Sequence, residues 1–123
     1  MRTKWRIFYY KTDQGICEVL EFLKSRKASD LAKAMAWIGM LEDKGPQLPR
    51  PYADLLRDGV HELRMKLSGD QVRVLYFFAF RDIVVLTHSF IKNANQVPDK
   101  EIKKAIGIRA DFLLRFPNGE VIN

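Results

Sequence analysis

Two spacings alternate along the chain. WRIFYY, residues 5–10, is a short run of aromatic and β-branched residues and predicts a strand. Ile16, Val19, Leu20 and Leu23 then follow the i, i+3, i+4, i+7 spacing of an amphipathic helix, with Asp13 as the expected N-cap. Leu31, Met35, Ile38 and Leu41 repeat that spacing in a second helix, which starts near Ser29 and stops at Gly45-Pro46. The short SRKAS link predicts an antiparallel helical hairpin. GPQLPRPY, residues 45–52, holds three prolines and must be irregular.

Three strands are expected next, at roughly 61–67, 71–80 and 83–91. The last helix is expected from about Asp99 to Arg115. Pro98 and Asp99 mark its start, and Ile102, Ala105, Ile106, Arg109, Phe112 and Leu113 form its apolar stripe. FPNGEVIN is expected to be a flexible tail from about residue 117. The order β-α-α-β-β-β-α predicts a single α+β domain over 1–123, a small antiparallel sheet packed against the helical hairpin and the last helix.

HELRMKLSGDQVRVLYFF, residues 61–78, carries the first candidate chemistry. Leu63, Met65 and Leu67 alternate with Glu62, Arg64 and Lys66, so the apolar set should face the helices. A two-residue turn at Gly69-Asp70 would pair Lys66 with Arg73 and Arg64 with Leu75. A two-residue loop at Arg81-Asp82 would place Arg73 opposite Phe90, Leu75 opposite His88 and Lys92 opposite Gln71. An odd loop or a bulge would flip these residues to the other face. The expected face therefore holds Arg64, Lys66, Arg73, His88, Phe90 and Lys92. Leu75, Phe77 and Leu86 share it as an apolar floor or a covered part. Arginines can grip phosphate, histidine can exchange protons near neutral pH, and an aromatic can stack on a base. The same basic residues would also suit a merely solvated strand face.

Composition narrows the partners. Net charge is +6 and the pI is about 9.6, which favours phosphates or an acidic protein. Hydrophobic residues make up 47%, too many for a disordered chain. Cys17 is the one cysteine, so no disulfide and no Cys/His zinc pattern can form within the chain. Its apolar surroundings suggest a buried structural residue. His61 and Tyr76 alternate toward the core side. The N-terminus holds no signal-peptide run. The longest apolar run, VLYFFAF, is too short to span a bilayer, so the expectation is a cytoplasmic protein with no membrane partner.

The pieces RPYADLLRDGVHELR, QVRVLYFF and IVVLTHSFIKNANQVPDKEIKKA, in that order and spacing, resemble the RelE/ParE toxin superfamily. The likeness is greatest to its HigB-like, phage-derived branch and covers roughly Leu48 to Arg109. It implies a RelE-like fold and a toxin of a type II toxin–antitoxin system. Such a toxin would be a ribosome-dependent mRNA endonuclease in which the RNA 2′-hydroxyl attacks the adjacent phosphate, with no metal or small-molecule cofactor. The implied partners are the ribosome, mRNA and a cognate helix-turn-helix antitoxin. Carried over by position, Arg73 would stabilise the pentacoordinate phosphate, and Arg64 would position RNA or orient another site group; apart from the resemblance, Arg64 could simply pair with Glu62 or Asp58. His88 would be the acid or base, and Lys92 would contact phosphate or help activation. Phe90 would stack on a base, and Lys66 would steer RNA. Asn93 and Val97 depart from the family pattern at positions often basic or polar there. Two alternatives stay open: a ParE-like DNA gyrase inhibitor, and a decayed, non-catalytic toxin.

Overall fold

A computed structural model describes residues 4–121. Its elements are β1 (Arg6–Tyr9), α1 (Glu18–Lys24), α2 (Ala28–Lys44), β2 (Ala53–Arg57), β3 (Val60–Leu67), β4 (Asp70–Ala79), β5 (Ile83–Ile91) and α3 (Asp99–Arg115), with a 3₁₀ turn at Gly45–Gln47. The strands form one sheet in the order β1-β5-β4-β3-β2. Every pairing is antiparallel except β1 with β5, which is parallel, so the sheet is mixed rather than purely antiparallel.

The helices divide between the two faces of the sheet. Val19 and Leu23 of α1 and Ala34, Ile38 and Leu41 of α2 pack on Leu63, Met65, Leu67, Val72, Val74, Tyr76 and Leu86. The other face is covered by α3. Ile102 and Ala105 pack on Leu75 and Val60, while Ile108 and Phe112 pack on Phe77, Ile83 and Val85. Ile108 thus takes a place in the stripe that the sequence assigns to Leu113, which is exposed. Part of the expected tail is held: Phe116 packs against Phe8 and Phe112, and Val121 joins the same cluster. Residues 122–123 lie outside the described ones.

Local chemistry explains the element ends. Glu18 and Glu21 in the first turn of α1, and Lys24 in its last, oppose the helix dipole with the right signs. Asp13 does not cap this helix, whose N-cap is Cys17, buried and without a side-chain cap bond. Thr12 organises the preceding loop instead: its hydroxyl accepts from the Ile16 amide at 3.1 Å. Ile16 and Met35 are largely exposed and lie off their expected stripes. Gly45 ends α2 at φ +53°, with the Trp5 ring against its Cα.

β2 is a strand absent from the sequence-based order. It joins β3 through Asp58-Gly59, both with positive φ, as a type I′ turn requires. Ser68-Gly69 makes the corresponding turn between β3 and β4. The expected turn at Gly69-Asp70 is thus displaced by one residue, and each pairing shifts by two. Arg64 lies opposite Arg73, and Lys66 opposite Gln71. A shift of two keeps every side chain on its expected face.

The β4–β5 connection departs from expectation twice, and the departures cancel. Its loop has three residues, Phe80 to Asp82, because Ala79 pairs with Ile83. Thr87 is then an extra residue in β5, since Tyr76 pairs with Leu86 while Leu75 pairs with His88. The odd loop flips the face and the bulge flips it back. His88 and Phe90 therefore sit opposite Leu75 and Arg73 as expected. Leu86 precedes the bulge, stays flipped, and packs with α1 and α2 rather than on the basic face.

Candidate nucleic-acid interface

Strand register sets the basic residues out in rows. Arg64, Arg73 and Phe90 lie side by side across β3, β4 and β5. The neighbouring row runs Asp54, Glu62, Leu75, His88 from β2 to β5. Beyond the first row, Lys66 pairs with Gln71, and the Lys92 amide donates to the Gln71 carbonyl at 2.7 Å. All six candidate side chains thus belong to one face, but α3 covers part of it and changes what each can do.

Arg73 is only 3% exposed. Its Nε donates to Glu62 Oε1 at 2.9 Å and its Nη1 to the Val72 carbonyl at 3.1 Å. Glu62 is buried beside it. Burial, with a smaller push from Arg64, holds the Arg73 pKa below its ordinary value, while Glu62 opposes that. Arg64, directly opposed on β3, repels Arg73, and the Glu62 carboxylate offsets that repulsion. Arg73 is therefore buried and paired with a carboxylate rather than presented as a free cation.

His88 is 2% exposed, beneath α3. Its Nδ1 lies 2.9 Å from the Thr87 hydroxyl and its Nε2 3.1 Å from Glu101 Oε1. The Thr87 hydroxyl also reaches the Leu75 carbonyl, at 3.1 Å. Phe90 stacks on the imidazole at a centroid distance of 5.7 Å. Burial and then Lys104 push the His88 pKa down, against Glu101 and Glu18. Both ring nitrogens are thus engaged inside the protein, so His88 fastens α3 to the sheet and is not presented to a ligand. Phe90 is half-buried against the same helix.

Arg64 and Lys92 are presented. They line an open cleft of about 550 Å³ between β2, β3 and the segment leading into α3. Arg64 has no side-chain hydrogen bond or ion pair among the described residues, though its backbone is fixed: its amide donates to Tyr52 and its carbonyl accepts from Trp37 Nε1. Lys92 donates to the Asn95 carbonyl at 3.0 Å, holding the 92–95 turn at the rim. Leu56, Val97 and Ile102 contribute apolar wall. Lys66 is exposed just beyond Arg64.

The cleft also gathers residues that the sequence alone did not single out. Arg50 pairs with Asp54, and Arg57 with Asp58 and Asp99. Arg50 chiefly, and Arg64 more weakly, hold the Asp54 carboxyl below its usual range. Glu62 lines the cleft beside Arg64. Its place follows from the alternation that placed Arg64, whereas Asp54 and Arg57 depend on the unrecognised strand β2. Of the cleft's cations, Arg50 and Arg57 are matched by carboxylates, while Arg64 and Lys92 have none among the described residues. His61 stacks on Tyr76 on the opposite face, as its alternation predicts. Among the described residues, no cluster of three or more His, Cys, Asp or Glu could hold a metal ion, and no helix is long and apolar enough to cross a membrane.

A small α+β protein with an open, cation-bearing cleft on a five-stranded sheet is the class these features define. The family model described as Phage derived protein Gp49-like (DUF891) matches residues 21–109, well over half of the chain and every residue that lines the cleft. The chain belongs to this phage-derived family. No curated protein matches it.

Proposed function

We propose that the protein is the toxin of a type II toxin–antitoxin pair and acts as a ribosome-dependent mRNA endonuclease. The observation that carries this reading is the placement, along one open cleft, of Arg64, a cation with no carboxylate partner among the described residues, and of Glu62, a mostly buried carboxylate held by Arg73. Phage-derived family membership and the RelE/ParE-like motifs agree with it.

The chemistry asks for little beyond these groups. Arg64 meets the phosphate with paired N–H donors, and Lys92 adds a second positive charge across the cleft. Glu62 takes the proton of the 2′-hydroxyl as that oxygen attacks phosphorus. The bond from phosphorus to the 5′-oxygen breaks, a 2′,3′-cyclic phosphate forms, and the leaving oxygen takes a proton from water. Arg73 is a positioning residue, since its bond to Oε1 fixes the Glu62 carboxylate. His88 keeps α3 in place as the far wall of the site. The helix-turn-helix antitoxin, the ribosome and a cytoplasmic location belong to this reading.

Primer-extension mapping of mRNA incubated with purified, antitoxin-free protein, with and without ribosomes, tests it. Cuts inside translated codons only when ribosomes are present support the reading. An intact transcript in both tubes, from a folded sample, removes it in favour of gyrase inhibition or a decayed toxin.

A further inference from the structure

A second groove lies across Arg64 from the cleft. It has a volume of about 270 Å³ and runs between α2, the Pro51-Tyr52 turn and the ends of β3 and β4. Its charged lining residues are Lys33, Arg64, Lys66 and the buried, Glu62-paired Arg73, and no Asp or Glu lines it among the described residues. The first cleft, by contrast, includes Asp54, Glu62 and Asp99. An acid-free, multiply cationic groove attracts anions, and this one also carries aromatic rings. Tyr52 meets Trp37 edge to face, at 65° and 5.6 Å between centroids. Lys33 Nζ sits 5.4 Å over the Trp37 ring.

The groove's walls are fixed by bonds that do not consume its charge. Trp37 Nε1 donates to the Arg64 carbonyl at 2.8 Å, and Lys33 Nζ to the Lys66 carbonyl at 2.8 Å. Both bonds tie α2 to β3 through main-chain acceptors, and neither Lys33 nor Lys66 has an ion pair with a carboxylate among the described residues. Tyr52 is half-buried and Lys33, Lys66 and Gln71 are exposed at the rim. Cations beside an aromatic face, with a polar amide at the edge, suit one unpaired nucleotide. The ring takes the base, the lysines take the phosphate and Gln71 can pair with a base edge.

We propose that this groove is a nucleotide-binding subsite. It holds the base next to the phosphate gripped by Arg64 against Tyr52, with Lys33 and Lys66 on the following phosphate. Arg64 lines both spaces, so a single strand crossing it passes from the Glu62 cleft into the groove. The inference deepens the RNA reading above and rests on it for the identity of the polymer. It gives the enzyme a grip on a neighbouring base, and hence a sequence or codon preference located at Tyr52 and Gln71.

The chain has two tryptophans, Trp5 and Trp37, so a Trp5→Phe protein reports from the groove alone. Titrating it with a short uridine oligoribonucleotide should quench Trp37 fluorescence to saturation. Tyr52→Leu should weaken binding by roughly tenfold, as loss of one stacked base does, and Tyr52→Phe should restore it. Lys33→Gln with Lys66→Gln should lower the salt slope of log K by about 1.4, two single-strand phosphates' worth. Equal quenching by inorganic polyphosphate, indifferent to Tyr52, would overturn the proposal by reducing the groove to an anion attractor. Quenching by polyglutamate but not by RNA would overturn it in favour of an acidic protein segment. If mRNA cutting fails while RNA quenching persists, the subsite stands and the endonuclease reading falls. If cutting proceeds in a Tyr52→Leu protein at the wild-type rate and positions, the subsite falls alone.

Discussion

Arg73 and Glu62 form an ion pair in which both side chains are less than a tenth exposed, with Arg73 Nε 2.9 Å from Glu62 Oε1. The pair spans β3 and β4 in the middle of the basic face, and it decides which cations there remain available to a ligand.

Removing one partner of such a pair leaves an uncompensated buried charge. Arg73→Ala should therefore lower unfolding stability by about 3–5 kcal/mol in urea titration. The doubly apolar Arg73→Met/Glu62→Leu protein should be clearly more stable than Arg73→Ala. Its burial makes Arg73→Ala first a stability variant. Equal stability of Arg73→Ala and wild type would show that the pair is not buried in solution.

The two histidines give stability a pH dependence with one sign. Burial lowers the pKa of both His61 and His88 from 6.5, so the unfolded chain binds protons that the folded chain resists. Their stabilising contribution is complete above about pH 6.5 and is lost as pH falls from there toward the lower folded values. Chemical denaturation between pH 7.5 and 5 should show a falling midpoint. His88→Gln should flatten part of that slope, because it removes one of the two titrating rings. A slope unchanged in His88→Gln would mean that Glu101 offsets the burial of His88.

Two kinds of glycine should respond oppositely to alanine. Gly45 has φ +53°, and an added Cβ would stand 2.2 Å from Trp5 Nε1. Gly45→Ala should destabilise by about 1–3 kcal/mol, the usual cost of overpacking. Gly107, within α3, has open space where a Cβ would go. Gly107→Ala should stabilise by about 0.5–1 kcal/mol, through helix preference and a less flexible unfolded chain. Thermal melting of both variants checks the contrast, and a stable Gly45→Ala protein would contradict the contact with Trp5.

Much of the face could be read from alternation, because period 2 fixes which side of a sheet a residue occupies. Arg64, Lys66 and Arg73 were placed correctly although their turn lies one residue earlier than expected, since the resulting shift of two conserves sides. His88 and Phe90 were placed correctly for a reason the sequence did not reveal: an odd loop and the Thr87 bulge cancel. Leu86, caught between them, shows what either alone would have done. β2 carried a signal in Asp58-Gly59, a strong type I′ pair, but ADLLR is short and half polar.

What the sequence withheld was depth. Alternation says which face a residue is on, not whether another layer covers it. α3 crosses the basic face and encloses His88, and the Glu62 partnership closes over Arg73. Leu75 and Phe77 on that face were the available hint that something apolar must cover it. The residues left open, Arg64 and Lys92, line the cleft that the start of α3 borders through Asp99 and Ile102 without filling it.

Single-turnover mRNA cleavage on ribosomes by Arg64→Ala, alongside its unfolding midpoint, tests the central claim most directly. The account predicts a rate lower by about 10²–10³-fold, the loss expected for one preorganised donor to a developing anionic centre. Stability should stay within about 0.5 kcal/mol of wild type, because the side chain has no partner to lose among the described residues. Cleavage by a folded Arg64→Ala protein at the wild-type rate would contradict it.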